Sequence, residues 1–327
     1  MALDRIVYQV SQLIRRSRFL RSLNLRQNVP FADLFIRRVP SIERRLYRLF
    51  RRNPLLGIVD GQRLYLDIND DEALMLLNRP YERRETATFR ALCALVDGRA
   101  IIDVGANYGY YSVVGAAAAP HSRILAFEPD PRLGELLRKT SRLHNNRIEV
   151  FVKALGDKSG PGTLFRNDRW SGDNRVTPDL FHERPTEPID IASLDDFVAA
   201  YPGGFDVGLI KADIQGGEPA MLAGARSLVE RCRPYILLEF SPTHLEQAGV
   251  PAGMFLQELQ QRFAILDVAT GSIVRHPTLA QSAQWCERVR FLWETKGDGY
   301  TNLVLHASGE GFAELQRILS AMPRTQH

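Results

Sequence analysis

The hydrophobic positions of this chain form short apolar runs separated by stretches with a helical period. The clearest example is residues 100–109, AIIDVGANYG, where an apolar run ends at Asp103 and enters a turn that contains two glycines. Beyond the turn, one face of a helix is predicted by the apolar positions Tyr111, Val113, Val114 and Ala117. A buried strand, a glycine turn and a helix in this order are typical of the first unit of a nucleotide-binding α/β domain.

Further apolar runs predict strands that would join the same sheet. They occupy residues 122–129, 148–152, 205–213 and 234–240. Acids stand at or near the ends of three of these runs, namely Glu128, Asp213 and Glu239. Because the carboxyl ends of parallel strands meet at one edge of a sheet, where open α/β sheets bind ligands, we expect these acids and Asp103 to converge there.

The remaining elements divide the chain into four predicted segments. A hairpin over residues 56–68, with an Asp-Gly turn, and a helix over residues 83–96 precede the central strand. A final strand pair, residues 264–268 and 300–306, lacks a full crossover helix and should end the sheet antiparallel. The segments are a basic helical extension (1–56), the hairpin and helix (57–99), the α/β domain (100–310) and a C-terminal helix or tail (311–327).

Charge is distributed unevenly along the chain. The whole sequence has 42 basic and 38 acidic residues, but residues 1–52 hold 13 arginines and three acids. The extension therefore carries +10 and residues 53–327 carry −6. A mildly acidic core domain argues against a nucleic-acid-binding groove built into it. The spacing of the cysteines indicates neither a disulfide framework nor a cysteine zinc site, because they lie far apart at Cys93, Cys232 and Cys286.

The arginines of residues 1–52 alternate with apolar positions at helical spacing. One interpretation is a helical arm that lies on an anionic membrane surface. A second, slightly favoured, is an appendage docked on the core or on a second copy, and a third is an organellar transit segment. No run of 18 uncharged apolar residues is present, so we expect no spanning helix. The predicted location is cytoplasmic, at the inner face of a membrane if the first interpretation holds.

A long irregular segment covers residues 161–188, which are rich in Gly, Asn, Asp, Arg and Pro and show no sustained period. Such a segment within a compact domain is often a lid or a substrate loop, with residues 170–174 as its expected contact region here. An irregular surface excursion with one buried aromatic side chain is an equally good interpretation. The chain after it, residues 191–198, predicts a helix with Ser193 and Asp196 at capping-box spacing.

The glycine turn indicates the class of ligand. A dinucleotide fingerprint requires a second glycine where this chain has Asn107, and the Asp103 carboxylate would repel a pyrophosphate. The same carboxylate suits the ammonium and sulfonium of S-adenosylmethionine. Glu128, about 20 residues after the turn, stands where doubly wound folds place an acid on ribose hydroxyls. The residues after the third strand, Ala154 and Leu155, should face the base of the ligand.

Five motifs together resemble those of the FkbM family of S-adenosylmethionine-dependent methyltransferases. They are DVGANYGYY (103–111), FEPDP (127–131), SLD (193–195), IKADIQGGE (210–218) and PYILLE (234–239). The resemblance spans roughly residues 57–308, with the motifs in the right order. One departure lies at Gln215, where the family more often has an acid, while Asp213 and Glu218 keep their places.

The resemblance implies a class I methyltransferase fold, which is an α/β domain with a Rossmann-like sheet of seven strands whose last strand is antiparallel. It also implies O-methylation of a hydroxyl on a sugar, glycan or secondary metabolite. The residues expected to bind the donor S-adenosylmethionine are Asp103, Gly105, Asn107, Gly109, Glu128, Ala154, Leu155 and Asp213. The two glycines would let the methionine portion approach closely. The expected base is Asp213, with Glu218 and Glu239 as second choices.

Alternatives to this assignment stay open at the level of sequence. A nicotinamide-dependent oxidoreductase is disfavoured by Asn107 and Asp103, whereas a non-catalytic interaction protein of the same fold has Gln215 as its support. Asp213 as an orienting or helix-capping residue is the alternative to its role as base, and Lys211 would pair with it and keep it ionised. No spacing of histidines and acids predicts a metal site.

Overall fold

The structure is a computed structural model of the chain, and it describes residues 53–78, 81–177, 183–296 and 299–322. The predicted basic arm lies outside these ranges, so its contact with a membrane stays a prediction. Among the helices that the structure describes, none combines the length and the apolar character that crossing a membrane requires. The chain divides into two compact units, residues 1–55 with 67–69 and residues 56–66 with 70–327. In the first unit, the side-chain amide of Asn53 donates to Asp67 Oδ1 at 2.9 Å.

The strands and helices of the described residues follow the apolar runs of the sequence. The strands are β1 (Leu55–Val59), β2 (Gln62–Leu66), β3 (Ala100–Val104), β4 (Ile124–Phe127), β5 (Ile148–Phe151), β6 (Ala154–Leu155), β7 (Gly160–Phe165), β8 (Thr186–Ala192), β9 (Val207–Ala212), β10 (Tyr235–Phe240), β11 (Ala264–Asp267), β12 (Ser272–Ile273) and β13 (Thr301–His306). The helices are α1 (Asp71–Asn78), α2 (Arg83–Leu95), α3 (Tyr110–Ala118), α4 (Pro131–Leu143), α5 (Leu194–Ala200), α6 (Glu218–Ala223), α7 (Arg226–Cys232), α8 (Pro242–Gln247), α9 (Ala252–Arg262), α10 (Leu279–Lys296) and α11 (Phe312–Ala321). The predicted hairpin, the helix before the central strand and the C-terminal helix are confirmed.

The large sheet has the strand order β12-β11-β13-β10-β9-β3-β4-β5. Strands β3, β4, β5, β9 and β10 run parallel, and β13 is antiparallel to both of its neighbours, β10 and β11. Seven of these strands confirm the predicted class I arrangement with an antiparallel last strand. The eighth, β12, was not predicted, because it has only two residues and forms where the turn over residues 269–271 folds the chain back onto β11.

A smaller sheet of order β6-β8-β7 forms where the sequence predicted an irregular segment. That prediction is wrong at both ends, since β7 and β8 pair antiparallel from Gly160 opposite Ile191 to Phe165 opposite Thr186. The sequence of β7 does not show a strand pattern, because it contains two glycines and a proline and only its Leu164 is buried. The helix expected from residue 191 begins instead at Leu194, after β8. The predicted cap is confirmed, because the backbone N–H of Asp196 donates to Ser193 Oγ at 3.1 Å.

Alternate residues of the central strands face two different cores. Ile101 packs with the apolar faces of α2, α3, α4 and α11, whereas its neighbour Ile102 packs with those of α5, α6, α7 and α9. Both side chains are completely buried. Because successive strand residues point to opposite faces, this alternation produces a sheet covered by helices on both sides. In the described part of the chain, the strand ends are therefore the places at which the sheet is not covered by these two cores.

The turn after β3 lies against the turn after β9. A Cβ atom at Gly105 would stand 2.1 Å from the carbonyl oxygen of Asp213, and the φ of Gly105 is +75°. The backbone N–H of Asp213 in turn donates to the carbonyl of Val104 at 3.2 Å. Only glycine meets both demands, because it tolerates a positive φ and adds no side-chain atom. This approach holds the ends of β3 and β9 together.

Gly105→Ala should be much more destabilising than Gly98→Ala, which is a matched control. The φ of Gly98 is +94°, but a Cβ there would meet nothing within 4 Å. The control should lose about 1–2 kcal/mol in the free energy of unfolding for its left-handed backbone. The Gly105 variant should lose about 3 kcal/mol or more, because overlap with the Asp213 carbonyl adds to that cost. Urea denaturation of both variants measures the difference, and equal losses would contradict the close approach.

Candidate functional site

Four of the predicted acids lie at the carboxyl edge of the large sheet. Asp103 is near the end of β3, Glu128 follows β4, Asp213 follows β9 and Glu239 is near the end of β10. These four strands are parallel neighbours in the order β10-β9-β3-β4. The acids therefore form a row along one edge, which we call the acidic row.

Glu128 is buried, and its carboxyl group accepts two backbone hydrogen bonds, one of them from the glycine turn. The backbone N–H of Asn107 donates to Glu128 Oε2 at 2.8 Å, and that of Asp130 donates to Oε1 at 2.9 Å. Burial raises the pKa of Glu128 to about 8, although these two hydrogen bonds lower it. A carboxyl group so close to the turn is well placed to accept hydrogen bonds from ligand hydroxyls.

Asp103 is also buried and has one oxygen available for a ligand. Ser112 Oγ donates to Asp103 Oδ2 at 2.6 Å. The other oxygen, Oδ1, is buried and has no hydrogen-bond partner among the described residues. Burial raises the pKa of Asp103, and the ammonium of Lys211 opposes that shift. A buried acceptor without a partner is costly, so an N–H or ammonium group bound there would stabilise the site.

Asp213 lies between two hydrogen-bond donors. Lys211 Nζ donates to Asp213 Oδ2 at 3.2 Å, and Gln215 Nε2 donates to Oδ1 at 3.0 Å. Burial alone would lower the pKa of Lys211, but the charges of Asp213 and Asp103 outweigh it and raise that pKa. The ammonium of Lys211 also lies 4.7 Å from the ring centre of Tyr111. Lys211 thus remains charged and donates to Asp213.

Gln215, the departure from the family pattern, bridges two acids. Besides its bond to Asp213, its Nε2 donates to Glu239 Oε1 at 3.4 Å. Burial raises the pKa of Glu239 well above its ordinary value, and the charge of Asp213 adds to that shift. An acid at position 215 would place a third carboxyl group here, whereas the amide supplies a donor to both neighbours. The substitution therefore leaves Asp213 hydrogen-bonded.

Glu218 holds the turn before α6. Its Oε1 accepts from the backbone N–H of Ile214 at 2.9 Å, and its Oε2 accepts from that of Gly216 at 3.0 Å. The side chain is 2% exposed, and burial raises its pKa to about 8. Because both oxygens are used within its own turn, the geometry favours a structural role for Glu218 over that of a base.

The remaining residues expected to bind a donor are Gly109, Ala154 and Leu155, and each packs against other parts of the protein. A Cβ at Gly109 would stand 2.1 Å from Leu137 Cδ1, so that glycine, like Gly105, is required by packing within the protein. That the two glycines also allow the close approach of a ligand stays a prediction. Ala154 and Leu155 form β6, which pairs with β8 in the smaller sheet, and both are buried. Their contact with the base of a ligand stays a prediction.

The structure adds residues that the sequence did not indicate. Tyr108 of the glycine turn donates its hydroxyl to Asp70 Oδ2 at 2.6 Å, and the backbone N–H of Ser171 donates to Asp70 Oδ1 at 3.0 Å. The amide Nδ2 of Asn107 donates to Ser171 Oγ at 3.1 Å. Residues 166–175, which we call the strap, therefore touch the glycine turn. An acid before a helix usually indicates an N-terminal cap, which is why the sequence did not indicate Asp70.

Glu72 fixes the same strap from α1. Its Oε2 accepts from Trp170 Nε1 at 2.6 Å, and its Oε1 accepts from the Tyr81 hydroxyl at 3.0 Å. Burial raises the pKa of Glu72 to about 6. Within the predicted contact region 170–174, Ser171 thus bonds to Asn107 of the glycine turn and Trp170 bonds to Glu72, whereas contact of this region with a substrate stays a prediction.

Comparison with known proteins places this geometry in a family. The family model described as the methyltransferase FkbM domain matches residues 103–266. The curated protein Methyltransferase 1 of Beauveria bassiana (strain ARSEF 2860) is 27% identical over 146 residues, which cover 39% of this chain and 59% of that protein. The match thus spans less than two thirds of the length of that relative.

Solved structures of methyltransferases also resemble the chain. Methyltransferase FkbM from Methylobacillus flagellatus KT is 18% identical, with 64% of this chain and 44% of that chain covered and a TM-score of 0.40. An O-methyltransferase from Bacillus cereus, solved in complex with SAH, is 13% identical, with 67% and 78% covered and a TM-score of 0.37.

Glu128→Gln tests the burial of the Glu128 carboxyl group. The folded protein keeps its proton up to about pH 8, whereas a carboxyl with the ordinary pKa of 4.5 releases it in the unfolded chain. The free energy of unfolding of the wild type therefore decreases as pH rises from 4.5 to about 8, by up to about 1.4 kcal/mol per pH unit. Gln has no proton to lose, so the stability of the variant relative to wild type should increase with pH.

Urea denaturation between about pH 5 and pH 8 measures this difference, with the exposed Glu230→Gln as control. The loss of one backbone hydrogen bond to Glu128 is an offset that does not change with pH. A difference between variant and wild type that stays flat across the window would contradict the buried, protonated carboxyl.

Proposed function

Because this chain belongs to the FkbM methyltransferase family, we propose that it transfers a methyl group from S-adenosylmethionine to a hydroxyl of a sugar, glycan or other small metabolite. The observation that carries the proposal is the acidic row, in which Asp213 alone lies between the donors Lys211 and Gln215. Carboxyl groups at strand ends suit a ligand rich in cationic and hydroxyl groups, and they disfavour a pyrophosphate.

The residues around the glycine turn fit this methyl donor. The unpartnered oxygen of Asp103 suits an ammonium group, and the buried carboxyl of Glu128 suits ribose hydroxyls. S-adenosylmethionine carries both kinds of group, and when bound it supplies a methyl carbon activated by the sulfonium. Asn107, whose backbone is fixed by Glu128, would stand beside the same ligand.

Asp213 is the proposed base. Methyl transfer is an in-line displacement, so the protein has to align the acceptor and take up the proton of its hydroxyl. Lys211 and Gln215 hold the Asp213 carboxyl group in place by hydrogen bonds, and this group then accepts the proton. Burial and the charge of Asp213 oppose the ionisation of Glu239 and raise its pKa. Glu218 uses both oxygens on backbone N–H groups.

The alternative functions have less support. Membership of the family leaves a nicotinamide-dependent oxidoreductase without an observation in its favour. A non-catalytic protein of the same fold relied on Gln215, but this side chain donates to Asp213 and so contributes to the arrangement of the proposed base.

Calorimetric titration tests the donor. The protein should bind S-adenosylmethionine and S-adenosylhomocysteine but not NADH. Glu128→Gln should weaken binding of both adenosyl ligands by about threefold or more, because its amide nitrogen replaces a carboxyl oxygen that would accept from a ligand hydroxyl, and one such hydrogen bond contributes about 0.5–1.5 kcal/mol. Glu230→Gln, far from the acidic row, should bind like wild type. Binding of NADH, or adenosyl binding that is unchanged in Glu128→Gln, would contradict the assignment of the turn.

Asp213→Asn tests the base. Asn keeps the size of the side chain and an oxygen for Lys211, so S-adenosylhomocysteine should bind within about threefold of wild type. Methyl transfer should fall by about 10²-fold or more, which is the usual contribution of a general base. Transfer of labelled methyl to a panel of methyl glycosides measures activity. A variant that binds the donor and keeps more than about a tenth of wild-type transfer would exclude Asp213 as the base.

A further inference from the structure

Glu82 is an acid beside the site that no motif indicated. It lies immediately before α2, outside residues 103–266. Its backbone has φ 40° and ψ 62°, in the left-handed region that residues other than glycine rarely adopt. Strained backbone of this kind is concentrated at functional sites, where the surrounding structure maintains it. The strain points to a reason for holding this side chain in place.

A short chain of contacts connects Glu82 to the proposed base. The hydroxyl of Tyr111 donates to Glu82 Oε2 at 2.5 Å. The Lys211 ammonium lies over the ring of Tyr111, and it donates a hydrogen bond to Asp213. Tyr111 and Lys211 therefore connect Glu82 to the proposed base, Asp213.

Glu82 has capacity left for a ligand. The bond from Tyr111 uses Oε2, and Oε1 accepts no hydrogen bond from the described residues. The residue is half-buried. Its surroundings disfavour a lone negative charge, because burial and the charge of Asp213 together raise the pKa of Glu82 to about 8, against the opposing charge of Lys211. A cation or a hydrogen-bond donor arriving here would be stabilised.

We propose that Glu82 is a second acid of the methyl-transfer site, which binds positive charge or a hydroxyl group presented beside Asp213. It would favour a sulfonium over an uncharged thioether, and an acceptor with hydroxyl or ammonium groups over a phosphorylated or carboxylated one. The inference rests on the proposed function. Glu82 is a binding residue in this scheme, and the proton of the acceptor goes to Asp213.

A pair of donor ligands that differ in one charge tests this inference without a known acceptor. S-adenosylmethionine carries a sulfonium, and S-adenosylhomocysteine has a neutral thioether in its place. Both are titrated calorimetrically at about pH 8.5, where a carboxyl with this pKa is largely ionised, into wild type, Glu82→Gln, Glu82→Asp and the distant control Glu230→Gln. The quantity compared is the ratio of the two dissociation constants, because S-adenosylhomocysteine itself reports that each variant is folded.

The expected result is a change that follows charge. The preference for S-adenosylmethionine should fall about tenfold in Glu82→Gln, as expected for the loss of a charge within several ångströms of the sulfonium. Glu82→Asp keeps the charge and tolerates a left-handed backbone, so it should retain most of the preference. Glu230→Gln should be unchanged.

Other outcomes would overturn the inference. An unchanged ratio in Glu82→Gln, with both ligands bound, shows that Glu82 senses no charge at the site. Equal losses of both ligands in Glu82→Gln and Glu82→Asp show a structural role only. If wild type binds neither ligand, the proposed donor fails together with this inference, whereas failure at Glu82 alone leaves the donor assignment intact.

Discussion

The ammonium of Lys211 is the charge on which the carboxyl edge of the sheet depends. Pairing of β3 with β9 puts Asp103 directly beside Lys211, and Asp213 follows two residues later. The carboxyl groups of the buried Asp103 and the half-buried Asp213 lie at adjacent strand ends, where a cation between them reduces their repulsion. The ammonium also makes a cation–π contact with the ring of Tyr111. Burying such a charge is costly unless it is paired, so the lysine and its acids stabilise one another.

This arrangement divides the acids by role. Glu128 and Glu218 hold turns through backbone N–H groups, and burial raises the pKa of each to about 8. Asp213 instead receives side-chain donors from Lys211 and Gln215. Gln215 is therefore compatible with the proposed activity, because its amide donates to both Asp213 and Glu239, where another acid would add a third carboxyl group. One edge of a sheet thus carries carboxyl groups with different hydrogen-bond partners and different roles.

The glycine turn also depends on segments far from it in sequence. Asp70 binds both Tyr108 of the turn and the backbone of Ser171 in the strap, and Glu72 binds Trp170. These contacts join α1 and the strap to the turn on which the proposed donor site is built. Residues before position 103 therefore belong to the structural unit of the site, although the family model begins there.

Most strands and helices of the large sheet, the acids at its strand ends, the glycine turn and the capping residue Ser193 were predictable from the sequence, because apolar runs and glycine turns are local patterns. Packing in the folded structure places Gly105 against the Asp213 carbonyl, bonds Glu218 to its own turn and pairs β7 with β8. It also brought Asp70, Glu72 and Glu82 to the site, because such contacts depend on how distant segments pack and leave no periodic signal in the chain.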